Sequence, residues 1–111
     1  MSAEFLVNFK NIENYTINLL NIDNKIRSFP TFKKEIGRDE YWLKNNSAIG
    51  LSKDDWEFDV RIFLKADKVL LEISIHPDKI GQDIIDFIHF LESIDEITIT
   101  DDDGEPAKLI S

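Results

Sequence analysis

WEFDVRIFLK (56–65) and, two residues later, KVLLEISI (68–75) decide the fold. In the first, Trp56, Phe58, Val60, Ile62 and Leu64 alternate with Glu57, Asp59, Arg61, Phe63 and Lys65. A period of two is a strand with one buried face. In the second, Val69, Leu71, Ile73 and Ile75 alternate with Leu70, Glu72, Ser74 and His76. Two such strands joined by Ala66-Asp67 predict an antiparallel hairpin over about 56–76. The turn lacks the Asn-Gly pair that most favours a tight hairpin. Phe63 falls on the polar side by this pattern, either under a helix or open to a partner.

Beyond the hairpin the period changes. Pro77 suits a first helical turn, and Asp78 puts negative charge at its start. Ile80, Ile84, Phe87, Ile88, Leu91 and Ile94 recur at three- and four-residue spacing, which predicts a helix near 78–94. Ile85 and Phe90 widen its apolar arc, and Gln82, Asp83, Asp86, His89 and Ser93 make its wet side. Ile97 and Ile99 alternate with Glu96, Thr98 and Thr100, a short strand near 96–100. The result is a β-α-β unit over about 68–100 with parallel strands.

The first half is less regular. Phe5, Val7 and Phe9 alternate with Glu4, Leu6 and Asn8 and predict a strand. Ile12, Tyr15, Leu19 and Ile22 fit a helical stripe with Asn11 as its cap. The same letters also fit a strand, since Tyr15, Ile17 and Leu19 alternate too; the helix is the preferred expectation. Ser28-Phe29-Pro30 ends it, because a residue before proline avoids helical dihedrals. From Thr31 to Asn46 the pattern is irregular or mixed, with a short strand expected to end near Ile49 and Leu51. The fold class is α+β: one domain over 1–111, a mostly antiparallel sheet with two helices packed on it.

The chain has 111 residues, which suits one hydrophobic core. It has no cysteine, which excludes a disulfide scaffold, thiol catalysis and thiolate zinc. Its net charge is −9. Residues 1–55 hold 8 basic and 8 acidic side chains, and residues 56–111 hold 5 and 14, so the whole excess lies in the second half. Such a field repels nucleic acid and anionic membranes and attracts basic surfaces. No apolar run approaches membrane-spanning length, and Met1-Ser2-Ala3-Glu4 lacks the basic opening of a secretory signal, so a cytoplasmic location is expected.

No residue set predicts catalysis, a metal or a cofactor. Asp101-Asp102-Asp103-Gly104-Glu105 looks like a calcium loop only at first glance. Counted from Asp101, the sixth position is Pro106, where an EF-hand needs glycine. His76 and His89 have no partner at ligand spacing. No Gly-x-Ser-x-Gly elbow, Walker loop or dinucleotide fingerprint occurs. The carboxylates stand in runs with no apolar pocket to separate their pKa values. The chain is therefore expected not to be an enzyme.

The hairpin WEFDVRIFLK–KVLLEISI, the helix after it and the acidic end ITITDDDGEPA resemble the small acidic immunity proteins of bacterial contact-delivered or secreted toxin systems. The resemblance is one of general type and transfers no contact residue. It implies one dedicated partner, a cognate toxin domain made in the same cell, with a nuclease suiting the charge. The expected contact residues come from the sequence itself: Asp101, Asp102, Asp103 and Glu105 at the centre, with Asp83 and Asp86. Tyr41 and Trp42 join them as candidate aromatic anchors. Two other functions fit the same chain. One is a nucleic-acid mimic displaying Asp83, Asp86, Glu92, Asp95, Glu96 and Asp101 to Asp103 along one face. The other is a small ligand-binding or enzymatic domain with a pocket between sheet and helix.

Overall fold

A computed structural model describes residues 3–37, 39–44, 60–73 and 78–107. Its elements in chain order are β1 (Ala3–Phe9), α1 (Ile12–Ile17), α2 (Leu19–Arg27), β2 (Phe32–Ile36), β3 (Glu40–Leu43), β4 (Val60–Leu64), β5 (Lys68–Ile73), α3 (Asp78–Ile94) and β6 (Ile97–Asp101). The strands form one sheet in the order β2-β3-β4-β5-β1-β6, and every neighbouring pair is antiparallel. The fold is α+β, as the periodicities predict. The expectations for Trp56, Phe58, His76 and the strand near Ile49 and Leu51 lie outside the described residues.

The hairpin forms from β4 and β5, with Ile62 opposite Leu71 and Leu64 opposite Val69. The described residues other than glycine have no positive φ, so Ala66-Asp67 does not make the mirror-image turn that matches strand twist. Tyr15 holds the turn instead. Its hydroxyl lies 2.6 Å from the Lys65 carbonyl, to which it donates, and 3.3 Å from that of Lys68.

Strands β5 and β6 run parallel, as the crossover through α3 requires, but they do not touch. Strand β1 lies between them and pairs with both, Val7 opposite Val69 on one side and Ile99 on the other. A chain-local reading cannot see this insertion, because β1 comes from the opposite end of the sequence.

Residues 12–17 and 19–27 are helical, and Asn11 is the cap, its side chain accepting from the Glu13 N–H at 3.3 Å. The helix is broken at Asn18. Its side-chain amide donates to the Asn14 carbonyl at 2.8 Å and accepts from Asn21 at 2.9 Å. Asparagine competes in this way for backbone partners and interrupts a helix. Two helical pieces therefore stand where one is predicted, and the described residues hold three helices.

Strands β2 and β3 replace the irregular segment expected there. A bulge between Phe32 and Lys34 spoils the alternation of β2, and Gly37, at φ 65°, makes the turn that a side chain would strain.

One core joins all three helices to one sheet face. Ile84, Phe87, Ile88 and Leu91 of α3 lie buried in one cluster with Val60, Ile62, Leu71 and Ile73, as the helix stripe predicts. Tyr15, Ile22 and Ile26 extend it under α1 and α2. Phe29 and Phe87 meet edge to face with centroids 6.2 Å apart. No helix of the described residues is long and apolar enough to cross a membrane.

Candidate interaction surface

The acidic run after β6 folds into a tight hairpin. Asp101 N–H donates to the Glu105 carbonyl at 2.8 Å, and Ala107 N–H to that of Ile99 at 2.9 Å. Residues 105–107 thereby fold back along the outer edge of β6, where Pro106 bridges Thr100. Gly104 turns the chain at φ 83°. Asp101 fastens this turn: one carboxylate oxygen accepts the N–H groups of Asp103 and Glu105, each at 2.9 Å. Asp102, Asp103 and Glu105 are exposed. Carboxylate oxygens of Asp101, Asp102 and Asp103 lie within 4.8 Å of one another. The four predicted acids thus divide into one structural residue and three outward charges.

Asp83 is not on the wet side of α3. It is 6% exposed, and it accepts hydrogen bonds from the Thr31 hydroxyl and backbone N–H. At 100° per residue, Asp83 lies about 40° from Phe87 and about 20° from Phe90, at the margin of the widened apolar arc. It ties α3 to the start of β2 and is withdrawn from any partner. Asp86 is half-buried and accepts from Gln82 at 3.0 Å.

Tyr41 and Trp42 separate as adjacent strand residues must. Tyr41 is 2% exposed in the core, where its hydroxyl donates to Asp23 at 2.7 Å. It is a core residue and not a surface anchor. Trp42 faces the other side of the sheet and donates to Glu40 at 2.6 Å. That side carries no helix among the described residues. Cross-strand neighbours there run Glu4, Glu72, Arg61, Trp42 and Lys34 in one row. Arg61 grips Glu72 with contacts of 2.6 and 2.7 Å and lies 3.5 Å from Glu40, while the Lys34 ammonium sits 4.4 Å from the Trp42 ring centroid. Phe63 lies in the next row, between the cations of Arg61 and Lys65, and the first helix does not cover it.

At the end of the sheet where β4 turns into β5, further residues gather that sequence reasoning passed over. Asp23 accepts from Tyr41 and from Arg27, which also pairs with Glu35. Burial, then the negative field of Asp67 and Asp39, pushes the Tyr15 hydroxyl up to about 12. Burial and the hydrogen bond to Asp23 push Tyr41 higher still. A groove of about 470 Å³ opens here, lined by Leu19, Leu20, Asp23, Asp39, Leu64 and Ala66 among others. A second, of about 510 Å³, lies between α2 and α3 over Phe90 and Ile94. The sequence signal for this groove is Leu20, an apolar letter outside the helical stripe.

Asp95 accepts the Asn11 N–H at 2.6 Å and the Asn14 amide at 3.3 Å, and the Asn11 donor is the main reason its carboxyl titrates below the usual range. With Asp83 buried, one acid of the phosphate-like row is absent from the free surface, and Asp95, still partly exposed, is engaged by Asn11 and Asn14. Comparison with protein-family models, curated proteins and solved structures finds no match.

Proposed function

We propose that this chain is a non-catalytic, cytoplasmic binding protein that neutralises a basic partner. The best-fitting partner is the cognate toxin domain of a bacterial contact-delivered or secreted system, and a nuclease suits the charge. The observation that carries this reading is the hairpin at the end of β6. It presents Asp102, Asp103 and Glu105 outward on a backbone that Asp101 already holds in shape. Like charges this close repel one another in the free protein. Lys and Arg on a partner relieve that repulsion and form charge-assisted hydrogen bonds, bidentate where Arg is the donor. The −9 surplus extends the attraction over the encounter and speeds association at low salt.

The test recovers the partner by co-purification and replaces Asp102→Asn, Asp103→Asn and Glu105→Gln together. Asp101 stays, so the turn stays. Affinity is expected to fall at least tenfold, about 1.4 kcal/mol, with a flatter dependence on salt. Unchanged affinity and salt slope in the folded variant would make the run a solvated turn and sink the reading.

A further inference from the structure

The ridge formed by α1 and α2 exposes large aliphatic side chains that the core does not use. Ile17 is 76% exposed and Leu20 is 72% exposed. They stand three residues apart at the junction of α1 and α2, one on each side of the break at Asn18. Leu19, 37% exposed, leads from them into the groove lined by Leu64 and Ala66. A lone surface leucine is ordinary; several exposed apolar residues beside an open groove mark a contact surface.

The groove is also negative. Asp39 lines it, and Asp67 follows Ala66 in the turn beside it. Both are exposed, and neither makes an ion pair among the described residues. Lys65 also lines the groove, with its ammonium 5.6 Å from the Phe63 ring centroid, and its single charge does not balance the two acids. The field of these two acids reaches the buried Tyr15 hydroxyl. Apolar floor and acidic rim together define the complementary surface.

We infer that the α1–α2 ridge and its groove are a second contact surface for the basic partner, taking an amphipathic helix. Its apolar side packs on Ile17, Leu19, Leu20 and Leu64, and its Lys or Arg residues meet Asp39 and Asp67. This rests on the basic-partner reading above. A second copy of this chain is the poorer occupant, since it would bring like-charged surfaces together.

The test needs no identified toxin. The probe is a short synthetic amphipathic helix of Leu and Arg, titrated into the isotopically labelled full chain at low and high salt. Amide shifts are expected at Leu19, Leu20, Asp23, Asp39 and Ala66. The double variant Ile17→Ser, Leu20→Ser, altered only at exposed positions, is expected to weaken binding about tenfold while circular dichroism stays unchanged. Asp39→Asn with Asp67→Asn is expected to flatten the salt dependence. Shifts confined to residues 101–105 overturn this surface and leave the acidic hairpin as the docking site. Shifts nowhere also overturn it, while the basic-partner reading then stands or falls on the hairpin variant alone. Concentration-dependent dimerisation abolished by Leu20→Ser assigns the ridge to a second copy and overturns it as well.

Discussion

Tyr15 and Tyr41 are the only tyrosines of the chain, and both are buried with hydroxyls that donate to fixed acceptors. Each is held neutral by burial and by nearby carboxylates. A folded pKa above the ordinary 10.0 means that this stability is full below pH 10 and is lost as pH rises through the folded values. Tyrosinate absorbance is therefore expected to stay flat through pH 10 and to rise only near 12, together with unfolding. In denaturant it should rise at its ordinary value. A normal tyrosine titration in the folded protein would put at least one hydroxyl in water. Asp83 makes a second residue-scale case. Asp83→Ala leaves the buried Thr31 hydroxyl and N–H without their acceptor, which is expected to cost about 1–3 kcal/mol in denaturant unfolding. A loss near zero would return Asp83 to the surface. Neither partnership was legible in the sequence. Tyr41 and Asp23 are 18 residues apart, Thr31 and Asp83 are 52 apart, and no local pattern links them.

At the scale of elements, periodicity was informative wherever a segment kept one period throughout. The hairpin β4–β5, helix α3 and strand β6 all follow their patterns within a few residues in the described range. Legibility failed where one residue interrupts the period. The bulge in β2 and Asn18 between α1 and α2 each did so, and each shifts which side chains face inward. Of the candidate site, the acidic hairpin could be located from four acids in five residues, but not the inward role of Asp101. The contact that joins elements most directly is Asp95, which links the end of α3 to the start of α1. Its lowered pKa means that its contribution is full above the ordinary 3.8 and is lost as pH falls through the folded value. Asp95→Asn is thus expected to lower the melting temperature at neutral pH, with the gap to the parent protein closing in acid. A gap independent of pH would assign the effect to shape and not to charge.

For the molecule as a whole, charge and packing are distributed differently along the chain. The core draws on both halves, from Val7 to Leu91, whereas the net charge belongs to residues 56–111 alone. Charge could be counted from sequence because it is additive, and packing could not, because it depends on which distant segments meet. The central place of β1 has a further effect on the order in which the protein can be made. Strand β1 leaves the ribosome before both its neighbours, β5 and β6, and α1, α2, β2, β3 and β4 separate it from β5 in the chain. Until β5 emerges, β1 has no partner at all, and until β6 emerges it keeps an open edge carrying Phe5, Val7 and Phe9. Vectorial synthesis therefore delays closure of the sheet until β6 has emerged, and the nascent chain carries an unpaired, apolar strand from the emergence of β1 to that of β5.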